Sequence, residues 1–389
     1  MFLEHLGSRR QMRYERESDI FVDNFGELCG QKGLEYVADP DTLAYYAERL
    51  SVEYAESLSV YLIQRLIRMK ALDAFRLDGY IPVAIDGSRL FRFKDKPFDS
   101  CCHKKLSNGD TEYFCSVLDA KVVTPNGFSL TMASEMLSNE GNSEFDKQDC
   151  ELKAFPRLVS KITAAFPRTP FVLLLDGLFA SQNVIRLIEK NKWKYCITFK
   201  EGSMPERFAE TLKLAELQSS NTLVVGKKKV RQDFTWVSEL PVAEFTPDVI
   251  FCLDYEKLKD KQTRFVWLTN FKVTSANVAE ISNKGGRLRW KIENEGFKVQ
   301  KKNGYRMEHA YSRHENGIRI MYILLTIAHI INQLILKGSL IRSLMKTFGS
   351  AKNFARRLSE SMRCNKLNAA LLKLPGQIRF VPQSGAGPP

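Results

Sequence analysis

A chain of 389 residues is longer than one hydrophobic core usually fills, so a large core with one or two smaller lobes is expected. Hydrophobic residues make up 44% and charged residues 26%, which excludes a largely disordered chain. The 58 Lys and Arg against 45 Asp and Glu leave a formal net charge of +13, which favours a polyanionic partner, nucleic acid ahead of an anionic membrane, because each neutralised phosphate releases a counterion.

Residues 40–77 carry helical spacing, with Asp41 or Thr42 as cap, apolar Leu50, Val52, Tyr54, Leu58, Tyr61, Leu62, Leu66 and Ile67, and a basic side at Arg65, Arg68 and Lys70. This predicts a small helical lobe, a solvated bundle or a DNA contact. Residues 81–85 then form a short apolar run that reads as a buried strand ending in Asp86-Gly87-Ser88. Runs at 114–123 and 128–136 flank Thr124-Pro125-Asn126-Gly127, a hairpin signal because Asn-Gly tolerates the positive φ of a tight turn. Three antiparallel strands are expected.

Helical spacing returns over 147–166 and stops at Pro167 and Pro170, and the apolar run 171–175 again ends in a carboxylate, Asp176. A helix over 182–190 and a strand over 194–199 follow. Residues 202–263 change to polar, β-rich pieces at 221–225, 232–237 and 249–253, which reads as an insertion. Beyond it come a strand at 265–269 and a helical region from Ser275 through Arg289 and Glu293.

The apolar stretch 318–336 approaches membrane length, yet it holds Arg319, His329, Asn332 and Gln333 and reads as a buried core helix. The eight cysteines include no CxxC pair and no secretory leader precedes them, so reduced thiols in a cytoplasmic protein are expected. The division expected is a helical N-terminal lobe (1–78), a first core part (79–201), the β-rich insertion (202–263), a second core part (264–338) and a basic helical tail (339–389).

Two strands finishing in Asp-Gly, followed much later by a glutamate in a basic helix, reproduce the element order of a ribonuclease-H-like core: an α/β mixed sheet flanked by helices. There the strand ends lie side by side and the last helix brings its glutamate to the same point. Taken singly each acid has a plainer reading: Asp-Gly is a common turn, and Glu293 pairs with Arg289 at helical i,i+4 spacing. Together they suit phosphodiester chemistry, in which two Mg²⁺ or Mn²⁺ ions about 3.5–4 Å apart activate the attacking oxygen and stabilise the leaving one. Lys298, Lys301, Lys302 and Arg306 would extend a positive track on DNA, and Arg289 would orient Glu293 or grip a phosphate. Asp149 and Glu151 read as acids favoured by a helix start, and Trp236 reads as buried packing.

The segment from Arg289 through Glu293 and Phe297, with Ala84-Ile85-Asp86-Gly87, Leu174-Leu175-Asp176-Gly177-Leu178 and Lys147-Gln148-Asp149-Cys150-Glu151, resembles the DDE transposases of the insertion-sequence group named after insertion sequence four. Their third-acid signature is Tyr, two residues, Arg, three residues, Glu, six residues, Lys. The Arg289 to Glu293 spacing agrees, whereas Gly286 stands at the Tyr position and Gln300 at the Lys position, with Lys301 one residue later. The resemblance covers about residues 40–335. It implies Asp86, Asp176 and Glu293 as catalytic metal ligands for two Mg²⁺ or Mn²⁺ ions. It also implies hydrolysis at the element's ends, 3′-hydroxyl strand transfer into target DNA, and dimerisation on double-stranded DNA in the nucleoid.

Overall fold

The computed structural model describes residues 1–15, 18–139, 149–226, 230–256, 261–338 and 345–368. Helices α1 (Arg9–Glu15), α2 (Asp19–Cys29), α3 (Pro40–Ala47) and α4 (Val52–Arg68) open the chain. Their starts follow local chemistry: the Ser18 and Ser51 hydroxyls accept from the Phe21 and Tyr54 N–H groups, and Pro40 occupies a first turn. The buried side of α4 is Ala55, Ser59, Ile63 and Leu66, while Tyr54, Leu58 and Tyr61 are exposed. Size misled the sequence reading there. Small Ala55 and Ser59 permit close approach to the sheet, and Ser59 Oγ donates to the Thr131 carbonyl at 3.1 Å.

Strands β1 (Ile81–Phe93), β2 (Cys102–Lys105), β3 (Thr111–Val123) and β4 (Ser129–Met136) follow, then α5 (Glu151–Ala165), β5 (Phe171–Leu175), α6 (Gln182–Lys190) and β6 (Lys194–Thr198). Next come α7 (Pro205–Leu217), β7 (Thr222–Gly226), β8 (Val230–Val237), β9 (Asp248–Glu256) and β10 (Lys261–Thr269). Helices α8 (Val278–Lys284), α9 (Lys298–Lys302), α10 (Glu315–Lys337), α11 (Met345–Phe348) and α12 (Ala351–Cys364) complete the order. The ten strands among the described residues form one sheet in the order β2-β3-β1-β5-β6-β10-β9-β8-β7, with β4 on β3. The β1–β5 and β5–β6 pairs are parallel and the others antiparallel. This is the expected mixed sheet flanked by helices, consistent with a ribonuclease-H-like fold, and the β-rich stretch continues the sheet through β10. Helix α7 lies inside that stretch.

Alternation along the central strands divides the core. Val83, Ile85, Leu173 and Leu175 pack with Phe155, Leu158 and Ile162 of α5 on one face. Ala84, Val172 and Leu174 pack on the other with Leu288, Ile292, Phe297 and Met321. Helix α10 alone among the described helices is long and apolar enough to cross a membrane, and most of it is buried inside the fold. Its amide donors find acceptors there: Gln333 donates to the Ser129 carbonyl at 2.9 Å and Asn332 donates to the Tyr305 hydroxyl at 2.9 Å. That matching is what a core helix requires. Of the tail expected to be helical to about Leu374, α12 is helical and residues 369–389 lie outside the described ones.

Candidate active site

Register brings the first two acids together. Ala84 of β1 pairs with Leu174 of β5 in parallel, so two residues further Asp86 and Asp176 project from the same face at the same level. Asp86 does not end its strand as expected. Strand β1 runs on to Phe93 beside β3, and Asp86 lies where β5 has stopped, which opens the sheet beside it. Asp176 follows β5 and caps a short 3₁₀ turn, its Oδ1 accepting the Leu178 N–H at 2.8 Å.

Glu293 lies in a six-residue π-helical stretch, Ile292–Phe297, that crosses the same face. Ile292, Gly296 and Phe297 are its buried residues. Gly296 is needed there, because a Cβ would stand 2.9 Å from Ser129 Oγ and 3.2 Å from Lys121 Cδ. The widened turn changes the side-chain phase, and a π bulge is a frequent device at functional sites.

Arg289 departs from its expected partner. It ends a 3₁₀ turn, Gly286–Arg289, so the regular 100° per residue does not hold across to Glu293, and its Nη1 lies 3.3 Å from Asp86 Oδ2. Its guanidinium also stacks 4.7 Å from the ring centroid of exposed Trp290. Beside Asp176 a cavity of about 460 Å³ is lined by Lys200, Arg264, Arg287, Arg289 and Trp290. Arg287 is anchored away, 2.6 Å from Asp254 of β9.

The carboxylates feel one another. Burial pushes Asp86 from its ordinary 3.8 up to about 6; Arg289 and the Gly87 N–H pull it down, while Asp176 and Glu293 push it further up. Glu151 is driven to about 7 by burial, then by Asp86 and Asp176. Sequence reasoning assigned Glu151 to the helix start and missed this proximity. Asp149, its neighbour in the motif, is a clasp: it accepts the Ser138 N–H at 3.1 Å and pairs with Arg157. The part of that motif at Lys147 and Gln148 lies outside the described residues.

Among the described residues no three His, Cys, Asp or Glu side chains are drawn tightly enough together to hold a metal ion. Asp86 has Arg289 as its ion-pair partner. The donor set nonetheless suits hard divalent cations, since Asp86, Asp176 and Glu293 all offer carboxylate oxygens.

The signature's two departures have structural counterparts. At Gly286 any Cβ would overlap the Trp267 indole of β10, so the space of the Tyr position is filled from the sheet. Gln300 is fully buried and accepts from Lys121 Nζ of β3 at 2.9 Å, so an ammonium approaches that point from a strand. Lys298 and Lys302 are exposed, Lys301 lies 3.5 Å from Glu308, and exposed Arg306 packs its guanidinium against Gly7. Trp236 is buried as expected.

Residues 146–331, just under half of the chain, match the transposase DDE domain family. The matched segment contains Glu151, Asp176, Arg289 and Glu293, with Asp86 ahead of it. No curated protein matches the chain. The family match supports a DDE transposase, a type of enzyme that cleaves DNA with divalent metal ions.

Proposed function

We propose that the chain is the transposase of a bacterial insertion sequence, cutting DNA at the element's ends and joining the freed 3′-hydroxyl to target DNA. The single observation that carries the reading is the convergence of Asp86, Asp176 and Glu293 on one face of the sheet, where β1 outruns β5. Asp86, Asp176 and Glu293 would hold Mg²⁺ or Mn²⁺. Two such ions, when bound, supply activation of the attacking oxygen and stabilisation of the leaving one.

The protein's own groups do the rest. Arg289 is poised to exchange Asp86 for a phosphate, and as a planar fork it can hold two phosphate oxygens at once. Lys200 and Arg264 line the adjoining cavity, which gives a strand beside Asp176 a positive wall. Lys298, Lys301, Lys302 and Arg306 continue the track and position DNA without reading its sequence. Two element ends must meet for strand transfer, so the working form is a dimer on double-stranded DNA, within the nucleoid.

The test is cleavage of a duplex carrying the element's ends with Mg²⁺ or Mn²⁺, comparing the intact protein with Asp176→Asn and Glu293→Gln. Nicking by the intact protein, with both variants binding DNA but cutting below detection, is the expected result. DNA binding with no cutting under either metal would leave a DNA-binding protein in place of the enzyme. Cutting without joined products would reduce the activity to that of a nuclease.

A further inference from the structure

Glu151 is the acid to which a three-carboxylate centre assigns no task. It opens α5, which packs on the face of the sheet opposite to the stretch carrying Glu293. Along β1, Val83 and Ile85 point toward α5, and the next position on that face is Gly87. A Cβ at Gly87 would overlap the Glu151 carboxylate. The absent side chain is therefore a gap through which Glu151 reaches the strand beside Asp86. It also accounts for the glycine after Asp86, which is inside a strand and forms no turn there.

The carboxylate has no hydrogen bond or ion pair among the described residues; Asp86 and Asp176 are the charges that act on it. Asp149, two residues earlier, is fully engaged by Arg157 and two backbone N–H groups. A half-buried carboxylate whose charged neighbours are other carboxylates is unfavourable until a cation joins them.

We propose that Glu151 is a fourth carboxylate of the metal centre, entering from the opposite face of the sheet through the gap at Gly87. The inference rests on the metal-dependent reading above. A fourth oxygen donor adds negative charge and a further ligand for a cation that takes six or more oxygens, so Glu151 raises metal affinity. A first-turn acid serving only the helix would stabilise α5 and leave metal binding unchanged.

Titration of the full-length protein with Mn²⁺ alone, without DNA, separates these roles through loss of the free-ion EPR signal. Glu151→Gln is expected to weaken Mn²⁺ binding at least tenfold, with Asp176→Asn doing the same. Cleavage by the Gln variant should return as Mn²⁺ is raised. Thermal melting in EDTA is the second readout: Glu151→Gln should melt no lower than the parent, because the carboxylate it replaces has no partner among the described residues. If Asp176→Asn loses Mn²⁺ and Glu151→Gln titrates like the parent, Glu151 is not a ligand and the three-acid centre stands. A Gln variant that melts lower with unchanged Mn²⁺ binding assigns Glu151 to the helix. If neither variant alters Mn²⁺ binding, the metal-centre reading falls and this inference falls with it.

Discussion

Asp86 and Asp119 stand directly opposite each other on β1 and β3, yet the fold treats them in opposite ways. Asp119 is fully buried and its Oδ2 is answered, by Lys121 Nζ at 3.0 Å and by the Tyr322 hydroxyl, which donates to it at 2.6 Å, while its Oδ1 has no hydrogen-bond partner among the described residues. Lys121 in turn donates to Gln300 and sits 4.3 Å from the centroid of the Phe297 ring, tying β3 to the stretch that carries Glu293. Asp86 is partly exposed, has one cation at 3.3 Å, and feels Asp176 and Glu293 as repulsion. Asp119 thus has its counter-charge inside the protein, whereas Asp86 is left among other carboxylates with Arg289, the arrangement that the proposed metal site requires.

The largest effect should come from breaking the matched side. Lys121→Met leaves Asp119 buried without its cation, and losing one partner of a buried pair typically costs about 3–5 kcal/mol. Urea unfolding in EDTA measures it. A loss below about 1 kcal/mol would mean that Asp119 is served equally well by Tyr322, and the contrast between the two aspartates would disappear.

On the unmatched side the sign reverses. Asp86 holds its proton to about pH 6 in the folded state against an ordinary 3.8, so the folded state binds more protons across that window. Its ionisation therefore lowers stability as pH rises from about 4 to 6, and Glu151, raised from 4.5 to about 7, extends the fall. Asp86→Asn should remove its share and stabilise the metal-free protein at pH 7 by about 1–2 kcal/mol, less than the full shift implies because Arg289 loses its partner. Denaturant midpoints of both proteins in EDTA at pH 4 and pH 7 decide it. A variant less stable than the parent at pH 7 would make Asp86 a structural acid.

This contrast also marks what the sequence could reveal. Apolar runs ending in Asp86 and Asp176 and the Asn126-Gly127 turn are local patterns, and they sufficed to place β1, β3, β4 and β5 along the chain. Helix α7 was equally local, with Pro205 at its first turn, but several of its apolar residues are exposed, including Leu212 and Leu217, which weakens any periodic signal. Glu151 was illegible because its place depends on a side chain that residue 87 lacks, a contact between distant segments. Gly286 and Gln300 looked like losses from a signature for the same reason. Trp267 and Lys121, which approach those places, lie on other elements, β10 and β3. The Arg289–Glu293 pairing failed because its helical premise failed at a 3₁₀ turn and a π stretch.

The smallest effect on stability, and the sharpest on binding, is expected at Lys298 and Lys302. They begin and end α9, four residues apart and therefore on one side of it, both exposed and without an ion pair among the described residues. As exposed charges they contribute little to folding, so each Ala substitution should shift unfolding by no more than about 0.5 kcal/mol. As phosphate contacts each should carry about one released counterion. Removing both should then flatten the plot of log affinity against log salt by about 2, with equal loss on cognate and unrelated duplexes. Fluorescence anisotropy over a salt series reads both quantities. An unchanged slope would move the DNA track off α9 and onto the wall of the cavity that Lys200 and Arg264 line together with Asp176. A loss confined to the cognate duplex would instead make these lysines readers of sequence, a task that point charges on phosphates cannot perform.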